Sequence, residues 1–157
     1  MEGAKAHTAK ALALALSWLA RQQRRWAGLI AYSGASGERL LALPPGRWDE
    51  CALCEWLSAF IGGGSDLDVP IAELPRMYHE IGAPAGVTDI VMITDARCRI
   101  PPDLKQRFLD WRRSARVRAV ALVVGSAPGD LEGVCDEVHR VGALDPSDDA
   151  VGRVLSL

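Results

Sequence analysis

Residues that could hold a cation occur at the end of an apolar run and in a glycine-rich loop. The run Thr88–Asp95 reads TDIVMITD, and the loop Ile61–Asp68 reads IGGGSDLD, which carries the hydroxyl of Ser65 beside the carboxylate of Asp66. Hydroxyl and carboxylate oxygens are ligands that Mg²⁺ prefers. Asp95 ends a short, β-branched run, and open α/β sheets place their ligand sites at the carboxyl ends of such strands. Asp95 is therefore the first candidate for chemistry, with the capping of a turn or helix as the alternative.

The cysteines and histidines do not form a recognisable catalytic or metal-binding set. Cys51 and Cys54 form a CxxC motif, but no second pair lies at zinc spacing. Helical periodicity around them favours two reduced, buried thiols on one helix face. His7, His79 and His139 have no acidic partner at useful spacing, and the chain has no G-x-S-x-G, P-loop or dinucleotide-binding motif. We therefore expect a protein that is not an enzyme.

The composition is that of one globular domain spanning residues 1–157. The formal net charge is −2, so nothing indicates a nucleic-acid-binding surface. Basic residues cluster at Arg21–Arg25 and Arg112–Arg118, which we interpret as solvated helix ends. The apolar run Ala9–Ala20 is too short to span a bilayer. Four cysteines without a secretory signal predict a reducing, cytoplasmic setting.

Hydrophobic periodicity predicts the element order α-β-β-α-α-β-α-β-α-β-α. We expect helices at Ala4–Arg24, Trp48–Phe60, Val69–Ile81, Asp103–Ser114, Asp130–Glu137 and Ser147–Leu157, and strands at Trp26–Tyr32, Arg39–Leu43, Thr88–Asp95, Arg116–Val124 and Val138–Leu144. A Gly/Ser turn makes the first two strands a hairpin. The remaining order predicts an α/β fold with a mostly parallel sheet, helices on both faces and Thr88–Asp95 buried in its middle.

Several bulky side chains are expected in the core. Leu104, Phe108 and Trp111 fall on one face of their predicted helix, and Trp18 and Trp56 fall among the apolar positions of theirs. Burial in the core is enough to explain why these five side chains are apolar and bulky.

Three segments together resemble the von Willebrand factor A (VWA) domain, a doubly wound α/β fold with a metal-ion-dependent adhesion site. They are the opening Met1–Gly3 that leads into a helix, the loop GGGSDLD and the strand end ITD. The resemblance is closest to the bacterial CoxE-like and ViaA-like group, which works beside MoxR-type AAA+ ATPases. It implies that Ser65 replaces the threonine of the family's GGTDL loop and that Asp95 is the aspartate after its fourth strand.

The family's first motif, D-x-S-x-S at the end of its first strand, has no counterpart here, since Met1 stands where that motif would end. The resemblance therefore implies an N-terminally truncated domain whose first central strand is missing. A misplaced start codon, a trimmed chain or a degenerate paralogue would each produce this. We expect two unpaired edges, at Trp26–Tyr32 and at Thr88–Asp95. These edges either pair directly or are filled by another chain, for example in a homodimer formed by strand exchange or edge pairing.

The resemblance also implies a function in protein–protein interaction. Ser65 and Asp95 would hold Mg²⁺ or Mn²⁺ weakly, on the order of millimolar, with Asp66 as a surrounding acceptor. Ala96, Arg97 and Arg99 would face the partner, a MoxR-type AAA+ ATPase or its client in complex assembly or metal-centre maturation. The rival interpretation is a Rossmann-like protein that binds a small ligand or nucleotide, with or without enzymatic activity.

Overall fold

The computed structural model describes residues 4–33, 37–59, 67–95, 99–125, 127, 129–141 and 152. In chain order the elements are α1 (Ala4–Gln22), β1 (Ala27–Ser33), β2 (Gly37–Leu43), α2 (Glu50–Ser58), α3 (Asp68–Glu80), β3 (Ile90–Thr94), α4 (Pro102–Ala115), β4 (Ala119–Val124), a 3₁₀ helix (Gly129–Gly133) and β5 (Glu137–Val141). No helix within these ranges has the length and apolar character needed to cross a membrane. The predicted helix Ser147–Leu157 lies almost wholly outside the described residues.

The first two strands form an antiparallel hairpin, as the sequence predicts. Their register runs from Ala27 opposite Leu43 to Ser33 opposite Gly37. Gly28 of β1 leaves no room for a side chain, because an added Cβ would collide with Cη2 of Trp26 and lie 3.0 Å from Cδ1 of Ile81, the residue after α3. A side chain at this position would therefore displace the ring of Trp26 and crowd the end of α3.

The other three strands form a parallel sheet in the order β3-β4-β5. Ile90 pairs with Ala119 on one side of β4, and Val120 pairs with Glu137 on the other. The α/β class is therefore confirmed, but the expected central position of the strand at Thr88–Asp95 is wrong. Among the described residues β4 is the middle strand and β3 is an edge, because nothing pairs with the far side of β3.

The core lies on both faces of β4, whose six residues are all buried. Val120 and Leu122 pack with Leu12 of α1 on one face. Ala121 and Val123 face the opposite way, toward α3 and α4, in a cluster with Ile71, Ile100, Leu104, Phe108, Leu131 and Val134. Helices thus cover both faces of the parallel sheet, and α4 buries the side predicted for it.

Two predictions about buried side chains are wrong. Cys51 and Cys54 are exposed, and Leu53 is the buried residue of α2. The reason is that the main packing partner of α2 is β2, and Leu53 is the residue on the covered side of the helix. Trp18 is 53% exposed, because it lies on the face of α1 turned away from the sheets. The guanidinium of Arg21 stacks 5.2 Å from its ring centroid.

Arg112 departs from the expectation that its basic cluster is solvated, since it is 7% exposed. Its guanidinium donates to the carbonyl of Val134 and to the carboxylate of Asp136. The same carboxylate accepts the N–H of Ala119 at 2.8 Å. Arg112 therefore ties α4 to the start of β4 and to the segment that leads into β5.

We expect Arg112→Ala to lower the free energy of unfolding by about 2 kcal/mol, because it removes charge-assisted hydrogen bonds and leaves a buried carbonyl without its donor. Urea denaturation followed by circular dichroism measures the change. The control is Arg113→Ala, since that side chain is 72% exposed and its removal should change stability by less than about 0.5 kcal/mol. Equal effects of the two substitutions would contradict the structural role given to Arg112.

Candidate functional site

Asp95 lies directly after β3, at the carboxyl edge of the parallel sheet, as the sequence predicts. Its side chain is 17% exposed and one carboxylate oxygen lies 3.8 Å from Nζ of Lys5. Lys5 lies in the first turn of α1. The end of its side chain also approaches the loop after β4, where a Cβ added to Gly125 would lie 3.4 Å from Cε of Lys5. The chain thus places its own cation beside this carboxylate.

Lys5 has no motif in the sequence that marks it as part of a site. Its ammonium group reaches Asp95 across ninety positions of the chain, and only the packing of α1 against the sheet brings them together. The sign of its charge matters, because an ammonium group already beside a carboxylate opposes the binding of a second cation there.

Of the other predicted site residues, Arg99 alone lies within the described residues. Ser65, Asp66, Ala96 and Arg97 lie outside the described residues. Arg99 is described and exposed. Its neighbour Ile100 donates its N–H to Asp130 at 2.8 Å, which fixes the chain where it enters α4. In the described ranges no three His, Cys, Asp or Glu side chains are grouped so that they could hold a metal ion.

A charged cluster at the opposite, amino edge of the sheet lies away from this site. Arg118 donates to Glu137, and Nε2 of His139 lies 3.0 Å from the same carboxylate. The hydrogen bond from the Arg118 guanidinium, with a smaller contribution from His139, holds the pKa of Glu137 below its ordinary value. These contacts join the beginnings of β4 and β5 and have a structural role.

A cavity with a volume of about 480 Å³ lies between the two sheets. We call it the interstrand slot: β1 and β3 form its sides, and α1 and α3 cover its two faces. The apolar residues of β3, Ile90–Ile93, are only partly buried because this side of the strand is open. Within the described residues β1 pairs only with β2, and β3 only with β4. In this part of the chain neither of the two expected edges has a second strand partner, and the edges do not pair with each other.

The hydrogen-bonding direction of each β3 residue follows from one bond. The N–H of Ile90 donates to the carbonyl of Arg118 at 2.8 Å, so Ile90 faces β4. In a parallel strand the backbone groups of successive residues point alternately to either side. The N–H and C=O groups of Val91 and Ile93 consequently point into the interstrand slot, and those of Met92 point to β4.

No protein-family model, curated protein or solved structure matches this chain. The geometry of the carboxyl edge and of the interstrand slot is therefore the basis for assigning a function.

Amide hydrogen exchange should show this alternation along β3. We expect Val91 and Ile93 to exchange much faster than Ile90 and Met92, because only the latter two donate into the sheet. Exchange followed by two-dimensional NMR, under conditions where the native state opens only locally, resolves the four amides. The buried residues of β4, such as Val120 and Leu122, serve as the slow reference. Equal protection of all four β3 amides would show that the slot-facing edge already has a partner.

Proposed function

We propose that this chain is a protein–protein interaction domain. The observation that carries the proposal is the interstrand slot, an apolar cleft bordered by a strand whose apolar side chains are half-exposed. Soluble proteins seldom leave a contiguous apolar surface open to water unless it binds something. Trp18 adds exposed aromatic surface on the outer face of α1, and aromatic residues are enriched where proteins bind each other.

Following the resemblance to the CoxE-like and ViaA-like VWA proteins, we propose a MoxR-type AAA+ ATPase or its client as the partner. The process served would be complex assembly or the maturation of a metal centre. The position of Asp95 at the carboxyl end of β3 supports this, because the resemblance assigns the adhesion site to that edge. Ser65, Asp66, Ala96, Arg97 and Arg99 belong to the same proposed surface.

The metal-assisted form of this interaction is poorly supported by the residues around Asp95. The ammonium of Lys5 lies beside the carboxylate, and the described residues offer no cluster of acidic side chains. Mg²⁺ requires near-octahedral oxygen coordination, which one carboxylate cannot supply. The described residues do not fit a complete Mg²⁺ or Mn²⁺ site, so we propose an interaction in which any metal contribution is small.

Calorimetric titration with Mg²⁺ and Mn²⁺ tests this point. We expect the unmodified chain to bind on the order of millimolar or more weakly. Lys5→Gln should strengthen binding, since it removes a positive charge 3.8 Å from the carboxylate. Asp95→Asn should bind the metal ions more weakly than the unmodified chain does. Micromolar binding that survives Asp95→Asn would mean that the metal ligands are elsewhere in the chain.

A small-ligand function is the second candidate, and the volume of the slot favours it. A cavity of about 480 Å³ lies within the range of roughly 300–1,000 Å³ typical of small-molecule sites. A thermal-shift screen with nucleotides and apolar metabolites distinguishes the two candidates. Stabilisation by one small molecule, without binding of any protein, would favour the ligand-binding function over the interaction domain.

The interaction itself is tested by filling the slot. Ala9 of α1 lines the slot, whereas Ala11 of the same helix is exposed and lies outside it. We expect Ala9→Trp to abolish co-purification with the MoxR-type ATPase encoded by the same organism, because the indole occupies the partner's space. Ala11→Trp, which adds the same side chain two residues away, should leave co-purification unchanged.

Circular dichroism and thermal unfolding establish that both variants fold before the binding experiment is interpreted. Equal binding by the two folded variants would exclude the slot as the interaction surface. Failure of the unmodified chain to bind the ATPase or any of its clients would exclude this class of partner.

A further inference from the structure

The interstrand slot presents backbone hydrogen-bonding groups on two sides, which identifies the chemistry of its occupant. On the β3 side these groups belong to Val91 and Ile93, as derived from the bond between Ile90 and Arg118. An apolar small molecule would leave all of them without a partner. A polar small molecule would rarely repeat donors and acceptors at the spacing of a strand.

The β1 side follows from the register of the hairpin. Ala27 lies opposite Leu43 at the end of the ladder. The next residue, Pro44, has no N–H, so this pair is held by its own two hydrogen bonds. Antiparallel strands alternate bonded and non-bonded pairs. Every second residue from Ala27 therefore bonds to β2, and the N–H and C=O groups of Gly28 and Ile30 point into the slot.

The two faces of the slot define the side chains that would fit. Ala6, Ala9 and Ala13 of α1 cover one face with small side chains, which leaves room for larger ones beneath them. Larger residues cover the other face, among them Ile71 and Leu74 of α3. A strand between these helices would be buried on both faces, and such strands are apolar at consecutive positions.

We propose that the interstrand slot accepts a β-strand from the partner protein. This deepens the proposed function and rests on it. The occupant is an extended apolar segment of about five residues, matching the five residues of β3, and it spans about 17 Å at 3.3 Å per residue. It bonds to β3 through Val91 and Ile93 and to β1 through Gly28 and Ile30. The two sheets then become one continuous sheet.

A suitable probe is a peptide with the β4 sequence AVALVV between pairs of lysines. β4 is the strand of this chain that is buried along its whole length, and the lysines keep the peptide soluble. The matched control carries the same residues with N-methyl groups at alternate positions. It keeps the apolar side chains but loses the donors toward one edge of the slot.

We expect the unmodified peptide to bind in a fluorescence anisotropy titration and to slow the amide exchange of Ile30, Val91 and Ile93. The N-methylated peptide should bind at least about tenfold more weakly and give no such protection, because each lost hydrogen bond has no replacement. Amides of β4 should exchange at the same rate with and without either peptide.

A pair of protein variants tests the β1 edge separately. Ile30→Pro removes an N–H that points into the slot but no bond to β2, and edge strands tolerate proline at such positions. Ile30→Ala is the matched control for the lost side chain. We expect Ile30→Pro to weaken peptide binding by about tenfold relative to Ile30→Ala. The N-methylated peptide tests backbone hydrogen bonding in the slot on the unmodified protein, so the result does not depend on the folding of Ile30→Pro.

The outcomes separate this proposal from the proposed function. Equal binding of both peptides would mean that the slot is an apolar groove, which overturns strand addition and leaves the interaction domain intact. Absence of peptide binding together with slot-dependent binding of the ATPase would have the same meaning. Protection of Ile30, Val91 and Ile93 that rises with protein concentration, without peptide, would make a second copy of this chain the occupant and would overturn the proposal.

Discussion

The requirement that backbone N–H and C=O groups find hydrogen-bond partners governs the arrangement of this protein. β4 meets the requirement on both sides, through β3 and β5, and its residues are buried on both faces. Among the residues that the structure describes, β3 and β1 each meet it on one side only, and their apolar residues are only partly buried. The described part of the chain thus has one strand paired on both sides, at the centre of the core, and two edge strands that border the interstrand slot.

Two helices fix the positions of the edge strands β1 and β3. α1 packs against both β1 and β4, and α3 packs against β1 and α4, so each helix bridges the hairpin and the parallel sheet. The position of β1 is therefore set by side-chain packing on its two faces rather than by a ladder of hydrogen bonds to β3. An arrangement of this kind preserves the width of the gap, because the edges cannot approach without displacing packed helices.

The local features of this fold follow from local sequence signals. The Gly/Ser turn predicts the hairpin, and the β-branched run predicts β3, although only the pairing of its neighbours shows that β3 is an edge. Helical periodicity predicts Leu104 and Phe108 as buried, and both are, because they pack in one cluster with β4 and α3. The same reasoning fails for Cys51 and Trp18, since periodicity shows which residues share a face and not whether anything covers that face.

The long-range polar contacts could not have been predicted from the sequence. Arg112 belongs to a basic cluster that composition alone assigns to solvent, yet its partners are brought to it by the turn before β5. Lys5 and Asp95 meet only because α1 lies across the carboxyl edge of the sheet. Such pairs depend on topology, and the residue types involved occur at many exposed positions where they would have no partner. The role of Ser65 as a metal ligand and that of Asp66 as a surrounding acceptor stay predictions.

The open edges of β1 and β3 also bear on how long a free molecule survives in a cell. Unpaired strand edges beside apolar side chains resemble the surfaces that promote aggregation and that chaperones and proteases recognise. Any molecule that binds only the folded state raises its stability in proportion to the logarithm of ligand concentration over Kd. A chain whose exposed edges are covered only by its partner would be degraded when produced in excess. Its abundance would then follow that of the partner without separate control of its synthesis.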